Sequence, residues 1–272
     1  MSQPHMNPKK LLEEVLARFQ AECQADLRVA AAFVGGSLAT GKADEYSDLD
    51  LYLILFDNEY ESFFAAREAF LHQLGAPIFL EDFDGFGFDM VLFIFEDGTK
   101  GELAFARAGS FQHIHNGPFR VLIDRLNLLK GVTFPIEQVP PEEQRCNLEK
   151  SIKSFWRYLY LLTGELGRRR LLTAASYFDG MRRQLLQVCR LSNDFTDAGG
   201  HPPIEGLLPQ GLAHELKKTY FRLEHAEMVQ AAQQAVSLFQ KVARPLAQAQ
   251  GVPWPEALER VVLKRFFPQN RT

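Results

Sequence analysis

Residues 34–53 read VGGSLATGKADEYSDLDLYL: an apolar run that ends in Gly35-Gly36-Ser37, ten intervening residues, then Asp48-Leu49-Asp50 opening a second apolar run. The segment before the glycines, 27–34 (LRVAAAFV), is short and apolar, and 49–56 (LDLYLILF) is polar only at its start. Both read as buried strands. The stretch between them is too rich in glycine and polar residues to be core, and it has room for a turn of helix after the glycines. Side chains at i and i+2 of a strand share a face, so Asp48 and Asp50 present two carboxylates together while Leu49 and Leu51 turn to the core.

Two carboxylates held that close repel unless a cation lies between them. A hard ion with oxygen ligands, Mg²⁺ in a cell, suits the pair, because it takes its remaining ligands from water and phosphate. Gly35 and Gly36 remove side chains so that backbone N–H groups at a helix start can approach phosphate oxygens, and Ser37 adds a hydroxyl donor. Gly-Gly-Ser alone is most often a turn, and Asp-x-Asp alone is most often a solvated strand end. Together, in this order and between two apolar strands, they are far more specific.

Working outward, Leu11, Leu12, Val15, Leu16 and Phe19 form the stripe of an amphipathic helix over 8–23, and Phe63, Phe64, Phe70 and Leu71 do the same over 60–74, with Gly75 as its stop. Residues 88–95 (FDMVLFIF) and 100–107 (KGELAFAR) flank Glu96-Asp97-Gly98-Thr99, where Asp-Gly between apolar runs signals a hairpin. The prolines of FPIEQVPPEEQ at 134–144 interrupt the pattern. Beyond them strand signals vanish and helical spacing covers 147–163, 169–191, 213–223 and 226–248, separated by Gly/Pro-rich loops such as 197–211. The expected fold class is α+β, with a mixed-sheet domain at 1–138 followed by an α-helical bundle of four or five helices at 139–272.

The 272 residues and 46% hydrophobic content suit two modest domains. The net charge of -4 divides unevenly: residues 1–138 hold 21 acidic against 11 basic residues, and 139–272 hold 13 against 19. An acidic half suits metal ions and cationic ligands, and the basic half either helps hold a polyphosphate or docks on the acidic one. Neither is the strongly basic domain of a nucleic-acid binder. Cys23, Cys146 and Cys189 are far apart, without CxxC pairing, and read as reduced core residues rather than a zinc site or disulfide framework. Lys9-Lys10 precede LLEEVLARF, whose acids are wrong for a secretory segment, and no stretch approaches membrane-spanning length. A cytoplasmic protein with no membrane association is the expectation.

The central segment resembles the nucleotidyltransferase superfamily typified by DNA polymerase β, whose signature is a hydrophobic residue, Gly-Gly or Gly-Ser, a spacer and Asp-h-Asp; Gly36-Ser37 and Asp48-Leu49-Asp50 match every element. The order of parts is similar to the bacterial antibiotic nucleotidyltransferases, particularly the lincosamide enzymes. ADEYSDLDL resembles their DEFSDIEF, and EDGTKGELAF resembles their hairpin ENGIRGEFHF. The likeness covers most of the N-terminal half and is only general beyond it.

That resemblance implies an N-terminal nucleotidyltransferase-fold domain in which Asp48 and Asp50 bind one or two Mg²⁺ ions. A third carboxylate, matched here by Glu102, acts as general base or as a further metal ligand. The co-substrate is ATP or another NTP, bound at Gly35, Gly36 and Ser37. The acceptor is a small hydroxylated molecule, with aminoglycosides and lincosamides the substrates implied, and antibiotic resistance the role. Relatives often form the site between two subunits, so a homodimer is compatible. Related enzymes often carry a basic side chain in the loop after Gly-Ser, where this chain has Thr40. Either Lys42 or an arginine of the helical half, Arg182 or Arg183, then neutralises phosphate.

Among other candidates, Asp89 and Asp97 compete with Glu102 for the third-acid role, and His113 and His115 have the spacing of a metal pair without an evident third ligand. Phe155, Trp156, Tyr158 and Tyr160 are candidates for an acceptor or nucleobase wall, with core packing the stronger reading. Arg168-Arg169-Arg170 reads as a helix end. Two alternatives to small-molecule transfer stand beside it. One is an antitoxin-type nucleotidyltransferase that modifies a protein, against which the large helical half argues. The other is a nucleotide-binding regulator without catalysis, against which the complete carboxylate set argues.

Overall fold

A computed structural model describes residues 8–135, 139–192, 208 and 210–267. These fall into two compact units, one holding 8–135 and the other the residues from 139 onward. Among the described residues there are nine helices and one six-stranded mixed sheet.

The first unit runs α1 (Pro8–Ala25), β1 (Val29–Val34), α2 (Gly36–Ala39), β2 (Leu49–Leu55), α3 (Tyr60–Ala65), α4 (Arg67–Leu74), β3 (Pro77–Phe83), β4 (Met90–Phe95), β5 (Lys100–Arg107) and β6 (Arg120–Asp124). Its strand order is β3-β4-β5-β2-β1-β6, with β2 and β5 parallel and the other pairs antiparallel. Alternation along β2 explains the layering: Leu49, Leu51, Leu53 and Leu55 enter a core with Val15, Phe19 and Phe63, whereas Tyr52 and Ile54 enter a second cluster with Phe33, Phe111 and Phe134. Each fully buried Phe or Leu there contributes roughly 1.5–3 kcal/mol by leaving water. Asp50 and Glu102 have the parity of the second face, beyond the end of its apolar packing.

The helix expected over 60–74 breaks at Ala66, whose own N–H closes α3 onto Phe63 and Phe64 carbonyls. Gly75 stops α4 in an extended conformation, and a Cβ there would lie 2.5 Å from the Phe95 ring, so close approach to β4 is what selects glycine. At 96–99 the expected turn forms, with Gly98 at φ +86° and Asp97 accepting the Thr99 N–H at 2.9 Å. Strands β3 and β6 escape the sequence patterns. They are the sheet edges: β3 is mostly exposed on both faces, and β6, where Ile123 alone is buried, is too short for an alternation to mark it.

The second unit comprises α5 (Pro141–Gly167), α6 (Leu171–Leu191), α7 (Gln210–Lys217), α8 (His225–Gln250) and α9 (Glu256–Phe266). Phe155 stacks on Phe239 at 3.7 Å between ring centres, and Trp156 packs edge-on to both. Phe155 and Trp156 are therefore core residues rather than pocket walls. Cys23 and Cys189 are buried, but Cys146 is exposed on the first half of α5, which corrects the core expectation for it. Most of the loop at 197–211 lies outside the described residues. Among the described residues no helix is long and apolar enough to cross a membrane.

Candidate active site

The antiparallel pairing of β1 with β2 sets Val34 opposite Leu51, so the chain leaving β1 turns beside the start of β2. The Gly35 N–H donates to the Asp50 carbonyl at 2.9 Å. Gly36 has φ +55°, a left-handed conformation, and a Cβ there would lie 1.7 Å from Asp50 Oδ2. Glycine at 36 thus meets two independent demands, backbone conformation and contact with the carboxylate. The short helix α2 follows, its opening N–H groups free of intrahelical acceptors as at any helix start. The Ser37 hydroxyl is buried and has no hydrogen-bond partner among the described residues. A buried polar atom without a partner carries a desolvation cost, which a bound oxygen acceptor would relieve.

Asp48 immediately precedes β2. The loop that delivers it is ordered by Asp44, whose Oδ1 accepts the Tyr46 N–H and the Ser47 hydroxyl, each at 3.0 Å. Asp50 stands opposite Glu102 across the parallel β2–β5 pair, and Glu102 in turn stands opposite Leu92 of β4. Burial, then repulsion from Asp48 and Glu102, pushes the Asp50 carboxyl up to about 7, partly offset by Lys100. Burial and Asp48 likewise raise Glu102. Lys100 Nζ lies 3.6 Å from Asp48 Oδ2, so the lysine pairs with the exposed aspartate rather than with Glu102. Asp48, Lys100 and Glu102 line one end of an open cleft of about 220 Å³ whose remaining wall includes Phe79, Leu92 and Ile94.

The structure separates the other candidates. Asp97 is a turn residue, and Asp89 accepts the Tyr60 hydroxyl at 2.5 Å, which leaves Glu102 as the acid beside Asp50. Thr40 turns its hydroxyl onto the Gly36 and Ser37 carbonyls at 3.1 and 3.2 Å. Lys42 is exposed just past α2, tied by its N–H to the Ser37 carbonyl at 2.9 Å. Arg182 donates to Asp179 and to the Thr219 carbonyl and lies over the Tyr220 ring at 4.2 Å, a set of contacts that occupies it within the helical unit; Arg183 is exposed. Tyr158 closes over Gly180, and Tyr160 is half exposed beneath Arg265.

The histidine pair does not form a metal site. His113 is exposed, while the His115 ring sits 4.8 Å from Tyr52 and 5.5 Å from Phe33, with Nε2 3.1 Å from the Pro118 carbonyl. Burial keeps His115 below the usual histidine range. A Cβ on Gly35 would come within 2.8 Å of His115 and 3.0 Å of Tyr52, so these two rings are the floor on which the glycine turn rests. The HIH spacing hid this role, because it shows only in the aromatic surroundings that the fold assembles.

Among the described residues no group of three or more His, Cys, Asp or Glu is gathered as a ready-made metal cage. The donor chemistry nevertheless fits a hard cation, since Asp48, Asp50 and Glu102 are all oxygen donors, and repulsion from the neighbouring acids adds to burial in raising Asp50 and Glu102. Where carboxylates, a glycine turn with the unpartnered Ser37 hydroxyl and an adjacent cleft come together, the arrangement is suited to moving a phosphorus-bearing group onto a nucleophile held in that cleft.

The chain is similar to an aminoglycoside 6-adenyltransferase from Bacillus subtilis, with 15% identity over 93% of this chain and 95% of that one and a TM-score of 0.44. No curated protein matches it. The sequence model of the streptomycin adenylyltransferase family matches residues 10–266. By that match over nearly its whole length, the chain belongs to the streptomycin adenylyltransferase family.

Proposed function

We propose that this chain transfers the adenylyl group of ATP to a hydroxyl of a small cationic acceptor, an aminoglycoside such as streptomycin, with release of pyrophosphate. The observation that carries the reading is the juxtaposition of Asp50 with Glu102 across β2 and β5, directly against the Gly36-Ser37 turn. Asp48 and Asp50 are the residues that would hold Mg²⁺, which when bound supplies charge neutralisation at the phosphates.

The chain's own groups account for the rest. Gly35, Gly36 and Ser37 receive the phosphates through backbone N–H groups and the unpartnered Ser37 hydroxyl. Glu102, raised above the ordinary range by burial, accepts the proton from the acceptor hydroxyl as that oxygen bonds to the α-phosphorus. The bond from the α-phosphorus to the bridging oxygen breaks, and its electron pair leaves with pyrophosphate. No covalent enzyme intermediate is needed. ATP and Mg²⁺ are plentiful in the cytoplasm, which is the compartment this reaction requires.

The test is pyrophosphate release by the purified chain with Mg²⁺ and each NTP against aminoglycosides, lincosamides and simple hydroxylated metabolites, with Asp48→Asn/Asp50→Asn as the blank. Release with ATP that depends on an aminoglycoside and vanishes in the blank is the expected result. Release with no acceptor preference, or none with any acceptor while ATP still binds, would overturn the small-molecule reading.

A further inference from the structure

The strand registers lay out the site's face in two rows. Asp50 of β2 faces Glu102 of β5, Glu102 faces Leu92 of β4, and Leu92 faces Glu81 of β3. In the neighbouring row Lys100 faces Ile94, which faces Phe79. With strands about 4.8 Å apart, Phe79 and Glu81 stand about 10 Å out from β5. The opposite face of these strands is packed, with Val91, Phe93, Phe95 and Leu103 at 1% exposure or less, yet Phe79 is 42% and Ile94 38% exposed. A solvated phenylalanine on the edge strand, on the same face as the carboxylates, does nothing for the sheet's own core. It does line the cleft that ends at Asp48 and Glu102.

We propose that this strip is the acceptor's seat: a ring of a hydroxylated, amine-bearing acceptor rests on Phe79, Leu92 and Ile94, its hydroxyl reaches Glu102, and Glu81 faces its ammonium groups. The assignment rests on the adenylyl-transfer reading above. Two arguments favour the acceptor over the nucleotide. Glu81 borders the strip, and Lys100, the cation in the neighbouring row, is already paired with Asp48, so the strip offers a cation a carboxylate and a polyphosphate no free charge, and an aromatic face adds to the attraction for a cation. The sheet order also puts the Gly36-Ser37 turn on the β1 side of Asp50 and the strip on the β5–β4–β3 side. In-line displacement needs the attacking and leaving oxygens on opposite sides of the phosphorus, so a nucleotide entering from the turn leaves the strip to the nucleophile.

The test is calorimetric titration of the full chain and its Phe79→Ala, Phe79→Tyr and Glu81→Gln variants, with streptomycin and ATP as separate probes. Phe79→Ala is expected to weaken streptomycin by about tenfold, the scale of one lost ring contact to a cationic ligand, with Phe79→Tyr restoring it. Glu81→Gln is expected to weaken it less and in a salt-dependent way, and ATP affinity is expected to be unchanged throughout. Streptomycin binding indifferent to Phe79, or ATP affinity falling in parallel, would overturn the seat. Wild-type chain that binds ATP but not streptomycin would overturn the amine-bearing class, whereas wild-type chain that binds neither and releases no pyrophosphate with any acceptor fails the transfer reading itself.

Discussion

Gly36 and Asp50 occupy touching positions: the space a Cβ would need on the glycine is filled, 1.7 Å away, by Oδ2 of the aspartate. The positive φ of Gly36 adds a backbone demand to the steric one. Gly36→Ala is therefore expected to lose the left-handed turn, at about 1–2 kcal/mol, and to displace the Asp50 carboxylate as well. Gly41, at φ +70° with open space around its Cβ position, is the control, because Gly41→Ala meets only the backbone term. Thermal unfolding and ATP titration of both variants check this, with loss of ATP affinity expected for Gly36→Ala alone.

Asp50 holds its proton to about 7 in the fold against an ordinary value of 3.8. Between those values the folded chain binds more protons than the unfolded one, so this group lowers stability as pH rises through that window. Asp50→Asn removes the buried charge. The ligand-free variant is expected to unfold at a higher temperature than wild type at pH 8, by up to about 4 kcal/mol of stability, and at nearly the same temperature at pH 4. Its transfer activity is expected to be lost at both. Melting curves across pH with equal shifts at pH 4 and 8 would remove repulsion and burial as the cause.

Glu102 shares the face and the electrostatic strain of Asp50 but lies nearer the cleft. If it takes the acceptor's proton, Glu102→Gln lowers kcat by about 10²–10⁴ and leaves the KM for ATP nearly as it was. Steady-state kinetics with ATP and acceptor varied in turn distinguish this from a binding role, in which KM for ATP rises while kcat holds.

Bringing Mg²⁺ and ATP to three mutually repelling acids should stabilise the chain, by about 2.7 kcal/mol at a ligand concentration 100-fold above Kd. Because Asp50 must shed its proton for a cation to bind, the rise in melting temperature is expected to grow from pH 6 to pH 8, and calorimetry in buffers of different ionisation enthalpy should register proton release. A pH-independent shift would mean that ATP binds without engaging Asp50.

How far the sequence carried the site depends on how local each relationship is. The helical stripes, the Asp97-Gly98 hairpin and the Gly-Gly-Ser to Asp-x-Asp order are patterns within short windows, and the structure forms them, except that the 60–74 helix breaks at Ala66 and the one expected over 213–223 ends at Lys217. The Asp50–Glu102 pairing is different: it joins residues 52 positions apart through a parallel register that no local pattern specifies, and only the family resemblance pointed to Glu102. Phe79 and Glu81 were missed because PIFLEDF on an exposed edge alternates too weakly to read as a strand. His115 was visible but misplaced, since its neighbours Tyr52, Phe33 and Phe134 come from distant segments.

Two lysines flank the carboxylates, and their partners distinguish them. Lys100 pairs with Asp48 and depresses the Asp50 carboxyl, so it acts on the acids. Lys42 is exposed beside the Ser37 carbonyl, at the mouth of the turn proposed to receive phosphate. Lys42→Met is therefore expected to raise the KM for ATP by about tenfold, the loss of one charge-assisted contact, with kcat changed less. Lys100→Met is expected to leave that KM nearly unaltered and to move the acidic limb of the pH–activity profile upward, because Asp50 loses the cation that opposes its protonation. If Lys100→Met raises the KM for ATP and Lys42→Met does not, the phosphates lie over β5 instead of the glycine turn, and the direction of nucleotide entry has to be reversed.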